Sequence, residues 1–111
     1  VPRLATIKEA LLEISEKGLG MTAVVNDDKT LAGIFTDGDL RRILDLKLDI
    51  HTTTIEQVMT THCTTATAEM LAGEALKIMQ QKKINGLLIV DQMQIPVGAM
   101  NMHDLLRAGV L

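Results

Sequence analysis

"GIFTDGDLRR", residues 33–42, joins two kinds of structure within a short span. Ile34 and Phe35 close the apolar run "LAGIFT", which reads as a strand. Thr36 and Asp39 stand three apart at the start of "DLRRILDL", which reads as a helix. A hydroxyl residue followed by an acid three places later has the spacing of a capping box. The Thr oxygen accepts from a free backbone N–H, and the carboxylate sits at the positive end of the helix dipole. Such a cap is worth about 1 kcal/mol. The same geometry suits a ligand. Donors at a helix start can take a phosphate, a Thr hydroxyl can reach a phosphate oxygen, and an Asp one turn in can accept from two adjacent ribose hydroxyls. Arg41 and Arg42 either add positive charge for a phosphate or lie solvated on the helix surface. Spacing alone leaves the structural and the ligand-holding readings both open.

The stretch has a second copy. Displaced by 65 residues, the chain aligns on itself without a gap: Glu9, Ala10 and Leu11 fall on Glu74, Ala75 and Leu76. Lys17 meets Lys82, Val25 meets Val90, Gly33 meets Gly98, and Asp39, Leu40 and Arg42 meet Asp104, Leu105 and Arg107. A repeat of this length decides the architecture. In each half an apolar stripe at helical spacing comes first: Ile7, Ala10, Leu11 and Ile14, then Ala72, Ala75, Leu76 and Met79. Gly18 and Gly20 stop the first helix and "KKINGL" the second. Two short apolar runs follow in each half, "TAVVN" with "LAGIFT" and "LLIVD" with "IPVGAMN", joined by the polar turns "DDKT" and "QMQ". "DLRRILDL" and "HDLLRAGVL" close the halves as helices.

The expected fold class is therefore α/β (α+β), with helix, strand, strand and helix in each half and room for a short leading strand. The halves are residues 1–46 and 63–111. Residues 47–62 form a connector in which "TIEQVM" reads as one or two helical turns capped by Thr53 or Thr54. "CTTAT" supplies the short strand before the next helix. A half of roughly 45 residues is too small to be comfortable alone, so the two are expected to pack sheet to sheet.

Composition narrows the class. A chain of 111 residues makes one compact module. It is 47% hydrophobic but 1% aromatic, with one Phe and no Trp or Tyr, so the core must be aliphatic. Single-stranded nucleic acids are recognised on aromatic platforms, which are missing here. A net charge of -3 offers no basic footprint for a duplex. No apolar run reaches the ~20 residues of a membrane span. One cysteine, Cys63, rules out an internal disulfide. The expectation is a soluble cytoplasmic protein with neither nucleic-acid nor membrane partners. The chain opens without Met and enters a helix almost at once. That suggests a piece of a longer polypeptide, although a processed end would look the same.

The repeat resembles a pair of cystathionine-beta-synthase (CBS) motifs. "GIFTDGD" matches the family pattern of Gly, two apolar residues, Thr or Ser, two variable residues and Asp. "INGLLIVD" resembles the family's strand entry, with "LGMTAVVN" a looser copy. The likeness covers essentially the whole chain. It implies adenine-nucleotide binding in the cleft between halves, with the acid on ribose, the Thr on phosphate, and backbone at the strand entry bordering the base. By position this implies Thr36, Asp39, Gly20, Met21 and Ala23 in the first half. In the second it implies Asn85, Gly86, Leu88 and Asp104, with Asn101 in place of the hydroxyl residue and no phosphate hydroxyl there. His103 either neighbours the cap or lines that second socket.

"GIFTDGDLRR" with "MHDLLRAGVL" further resembles the C-terminal CBS pair of the sugar-isomerase (SIS–CBS) family that interconverts ribulose 5-phosphate and arabinose 5-phosphate for Kdo and lipopolysaccharide synthesis. That likeness implies an N-terminal SIS domain as partner and catalyst, no catalytic residue in this chain, and CMP-Kdo as an alternative to an adenine nucleotide as regulatory ligand. It also implies a homo-oligomer, a CBS-pair dimer in which "LRRILDL" and "HDLLRAGVL" supply the contact. Assembly without ligand sensing is the competing expectation.

Other constellations carry less. His51, His62 and Cys63 lack metal-ligand spacing, so no metal is expected. Cys63 has no orienting partner for nucleophilic chemistry, and "GLG" at 18–20 reads as a helix stop rather than a phosphate loop. Met79 belongs to a core stripe, Met93 to an exposed turn, and Met59 and Met70 are placed to pack between halves.

Overall fold

The computed structural model describes residues 1–18, 20–70 and 72–102. The chain divides into two compact units, Val1–Cys63 and Thr64–Leu111. The second closing helix, "HDLLRAGVL", lies outside the described residues.

In the first unit α1 (Ile7–Lys17) precedes β1 (Met21–Val25), β2 (Leu31–Thr36) and α2 (Asp37–Ile43). Helix α1 begins at a capping box. The Glu9 N–H donates to Thr6 Oγ1 at 3.2 Å and the Thr6 N–H donates to Glu9 Oε1 at 3.3 Å. It ends at Gly18, left-handed at φ +67°, whose N–H donates to the Ile14 carbonyl. That is the conformation glycine adopts without penalty. Ile7, Ala10 and Ile14 form its buried stripe and meet Val24, Phe35 and Ile55 in one core.

Helix α2 is shorter than its sequence pattern implied. Leu44–Leu46 tightens into a 3-10 turn, and Lys47 then leaves in a left-handed conformation at φ +54°. "TIEQVM" is a single 3-10 turn, Ile55–Gln57. The expected cap on it is absent: Thr54 stands at the N-cap position but its hydroxyl accepts nothing, and its buried Oγ1 has no partner among the described residues. What holds this turn is burial. Ile55 is fully buried, and its N–H donates to the Ala5 carbonyl at 2.7 Å.

In the second unit β3 (Thr65–Thr67) precedes α3 (Ala72–Lys82), β4 (Gly86–Val90) and β5 (Pro96–Asn101). Their sheet runs β3-β4-β5, parallel then antiparallel. Ala75, Leu76 and Met79 pack on Ala66 and Leu87. Met59 packs against the core of the first unit and Met70 against that of the second. Met93 is exposed.

The repeat persists in backbone detail. Strands β1 and β2 pair as Met21↔Thr36, Ala23↔Ile34 and Val24↔Gly33, and shift register between Val24 and Val25. Strands β4 and β5 pair as Gly86↔Asn101, Leu88↔Ala99 and Ile89↔Gly98, and shift between Ile89 and Val90. Each pair maps onto its counterpart at the 65-residue offset. Pro2 bridges Val25 in parallel as Thr67 pairs with Val90. Even the left-handed positions recur, Lys29 with Gln94 and Gly18 with Lys83.

One difference is local. A Cβ on Gly33 would lie 2.7 Å from the Thr60 carbonyl oxygen and 2.7 Å from Met59 Sδ, whereas on Gly98, among the described residues, it would meet nothing closer than Ile89 Cδ1 at 3.7 Å. In the 111-residue chain Gly33→Ala is expected to lose about 1–3 kcal/mol through overpacking against backbone, and Gly98→Ala close to nothing. Urea unfolding of both variants checks this, and equal losses would remove the distinction.

Candidate functional site

Strand β2 delivers Thr36 to the start of α2, and Met21 lies opposite it on β1. Just ahead of β1, Gly20 is left-handed at φ +72°. Its carbonyl accepts the Asp37 N–H at 3.1 Å, and a Cβ there would stand 3.2 Å from Asp37 Oδ2. Gly20, Met21, Thr36 and the first turn of α2 are thus brought together. Ala23 lies two residues further along β1, opposite Ile34.

Asp39 is 2% exposed and its carboxylate is fully engaged. Oδ2 accepts from the Thr36 N–H at 2.9 Å and from the Thr36 hydroxyl at 3.1 Å, while the Asp39 N–H donates to Thr36 Oγ1 at 3.1 Å. Oδ1 accepts from the Thr60 hydroxyl at 2.8 Å and pairs with the Arg42 guanidinium. Arg42 also donates to Thr60 Oγ1 at 3.3 Å. Thr60 was missed by sequence reasoning because it lies 21 residues from Asp39. The capping geometry expected from the spacing is present in full, with a second clamp added from the connector. Arg42 is tied to this clamp although its side chain is mostly exposed, and Arg41 is exposed.

The second unit repeats part of this. The Asn85 carbonyl accepts the Met102 N–H at 2.8 Å, as that of Gly20 accepts from Asp37. Gly86 pairs with Asn101 and Leu88 is buried on β4. His103 and Asp104 lie outside the described residues. A separate hollow of about 80 Å3 in the first unit is lined by Ile7, Leu40, Ile43, Leu44, Lys47, Leu48 and Ile50. Neither Thr36 nor Asp39 lines it, and it is smaller than the roughly 300 Å3 of an ordinary small-molecule site.

Residues 1–46 and 55–111 match the CBS domain model. The chain belongs to the CBS domain family. Arabinose 5-phosphate isomerase KdsD of Pseudomonas aeruginosa is 61% identical over 102 residues, which are 92% of this chain and 31% of that protein. The chain spans about a third of the length of the curated relatives it matches. A crystal structure of a conserved protein from Pyrococcus horikoshii has 31% identity and a TM-score of 0.83, covering 98% of this chain and 82% of that one. A CBS domain protein from Pyrobaculum aerophilum, solved with AMP, has 20% identity and a TM-score of 0.84, covering 95% of this chain and 80% of that one. The last likeness is one of fold.

As a CBS sequence, the chain carries its Thr and Asp at the junction of β2 and α2, where "GIFTDGD" placed them. Among the described residues no group of His, Cys, Asp or Glu could hold a metal ion, and no helix is long and apolar enough to cross a membrane. Burial pushes the Cys63 thiol up, away from the reactive thiolate.

Proposed function

We propose that this chain is the regulatory CBS pair of an arabinose 5-phosphate isomerase and senses an adenine nucleotide. The observation that carries the reading is the 61% identity to an isomerase of which the matched region is 31%. The isomerisation of ribulose 5-phosphate to arabinose 5-phosphate, ahead of Kdo and lipopolysaccharide synthesis in the cytoplasm, then belongs to an N-terminal SIS domain. This chain carries no catalytic residue. Its ligand contacts are Gly20, Met21, Ala23, Thr36 and Asp39 in one repeat and Asn85, Gly86, Leu88, Asn101, His103 and Asp104 in the other. The AMP seen on the Pyrobaculum aerophilum protein favours an adenine ligand. CMP-Kdo has no such support and enters as a comparison.

Two observations favour the second reading, a module for assembly alone. Asp39 has no acceptor capacity to spare. Leu44, Leu46, Leu48 and Ile50 leave apolar surface exposed beside the hollow in the first unit. Thermal unfolding against AMP, ATP, CMP and CMP-Kdo separates the two. A nucleotide at 100 times its dissociation constant adds about 2.7 kcal/mol. The sensing reading expects that gain with AMP or ATP. No shift with any of the four, together with a dimer by sedimentation, leaves assembly.

A further inference from the structure

The two repeats differ at one sheet edge. In the first unit the outer edge of β2 is covered. The Ile34 N–H donates to the Thr60 carbonyl at 2.9 Å, and the Thr60 N–H donates to the Ile34 carbonyl at 2.9 Å. Gly33 makes room for this crossing by having no side chain. At the 65-residue offset Ile34 becomes Ala99 and Gly33 becomes Gly98. Ala99 stands opposite Leu88 as Ile34 stands opposite Ala23, so its N–H and C=O point away from β4. Among the described residues nothing pairs with them, and a Cβ on Gly98 would meet only Ile89, at ordinary contact distance. Val97, next to Gly98 in β5, and Met93, in the turn between β4 and β5, are exposed apolar residues at 59% and 72%. An unpaired, apolar edge of this kind is a template for an added strand.

We propose that the outer edge of β5 at Gly98–Ala99 is the seat of an extended segment from the part of the polypeptide that runs into Val1. The repeat names the occupant. Met59 and Thr60 lead into β3, and β3 pairs with Val90 through Thr67 as Pro2 bridges Val25. The segment that stands to Pro2 as Thr60 stands to Thr67 therefore falls about six residues ahead of Val1. The curated relatives are about three times as long as the region they share with this chain, so a polypeptide of that kind has chain to place there. The inference rests on the reading of this chain as part of such an isomerase.

Deuterium exchange on the full-length polypeptide tests it. The Ala99 amide is expected to exchange within about tenfold of the Ile34 amide, because both lie in paired edges. Prolines placed one at a time over the ten residues ahead of Val1 remove a donor. One or more is expected to speed exchange at Ala99 at least about tenfold while leaving Ile34 and the melting temperature in place. Thr60→Pro should do the reverse, opening Ile34 and sparing Ala99. Fast exchange at Ala99 in the full-length polypeptide overturns the inference. So does protection at Ala99 that survives every upstream proline, since another chain then covers the edge. Isomerase activity of the same polypeptide is read separately, so failure of the parent reading is distinguishable from failure of this one.

Discussion

Phe35→Ala is expected to lose about 3–5 kcal/mol of stability, the range for emptying a large aromatic site in a packed interior. Phe35 is the one aromatic residue of the chain and is fully buried. It fills the space between Ile7, Ala10, Ile14, Val24 and Ile55. Those neighbours belong to a helix, a strand and a 3-10 turn, so they cannot close on the void without moving separate elements. Met100, at the equivalent place in the second unit, is only partly buried. Met100→Ala should therefore cost less, about 2 kcal/mol. Small domains hold about 5–15 kcal/mol in total, so Phe35→Ala removes a large share. Urea unfolding followed by circular dichroism measures both. A Phe35→Ala loss below about 1 kcal/mol would mean that the first core is not packed as described.

Asp39→Ala is expected to cost about 3 kcal/mol, more than the capping spacing alone implied. The cap itself contributes about 1 kcal/mol. Removing a buried acceptor that serves Thr36 and Thr60 strands their donors, at about 1–3 kcal/mol. Arg42 adds little, because its side chain is 68% exposed and water replaces the carboxylate. Asp39→Asn keeps the shape and one carbonyl acceptor and should lose roughly half as much. Thr60→Val, which leaves the capping box intact, isolates the connector's share at about 1 kcal/mol. A loss from Asp39→Ala under about 0.5 kcal/mol would show that this clamp contributes nothing to folding.

Much of the fold was legible because the repeat is local and self-checking. The short apolar runs "TAVVN" and "LLIVD", bounded by polar turns, marked β1 and β4, and the second runs "LAGIFT" and "IPVGAMN" marked β2 and β5. Gly33 aligns with Gly98 at the repeat offset, and the two hairpins share one register, including the shift next to Val25 and Val90. The left-handed Lys29, Lys83 and Gln94 were invisible because those residue types announce no special backbone. Lys83 does for α3 what Gly18 does for α1, without a glycine to signal it.

The connector was the weaker reading. Its threonines looked like caps, yet Thr54 caps nothing and the burial of Ile55 holds the segment. The spacing of Ile55, Val58 and Met59, all packed on the first core, was the signal that could have shown this. For the site, the Thr36–Asp39 spacing located the capping box, but no local pattern pointed to Thr60. Its bond to Asp39 exists only because the chain returns along β2. That return is a property of the tertiary fold, which spacing within one helix start does not encode.

As proposed, the junction of β2 and α2 is a nucleotide socket as well as a helix cap. Titration of the isotope-labelled chain with AMP, followed by amide chemical shifts, tests it most directly. Saturable shifts are expected at Gly20, Met21, Thr36 and Asp39, because a ligand must compete there with Thr60 and Arg42 for the carboxylate. Amides that stay still at those four positions up to millimolar AMP, while Asp39→Ala still destabilises the chain, would leave the residues with a structural role alone.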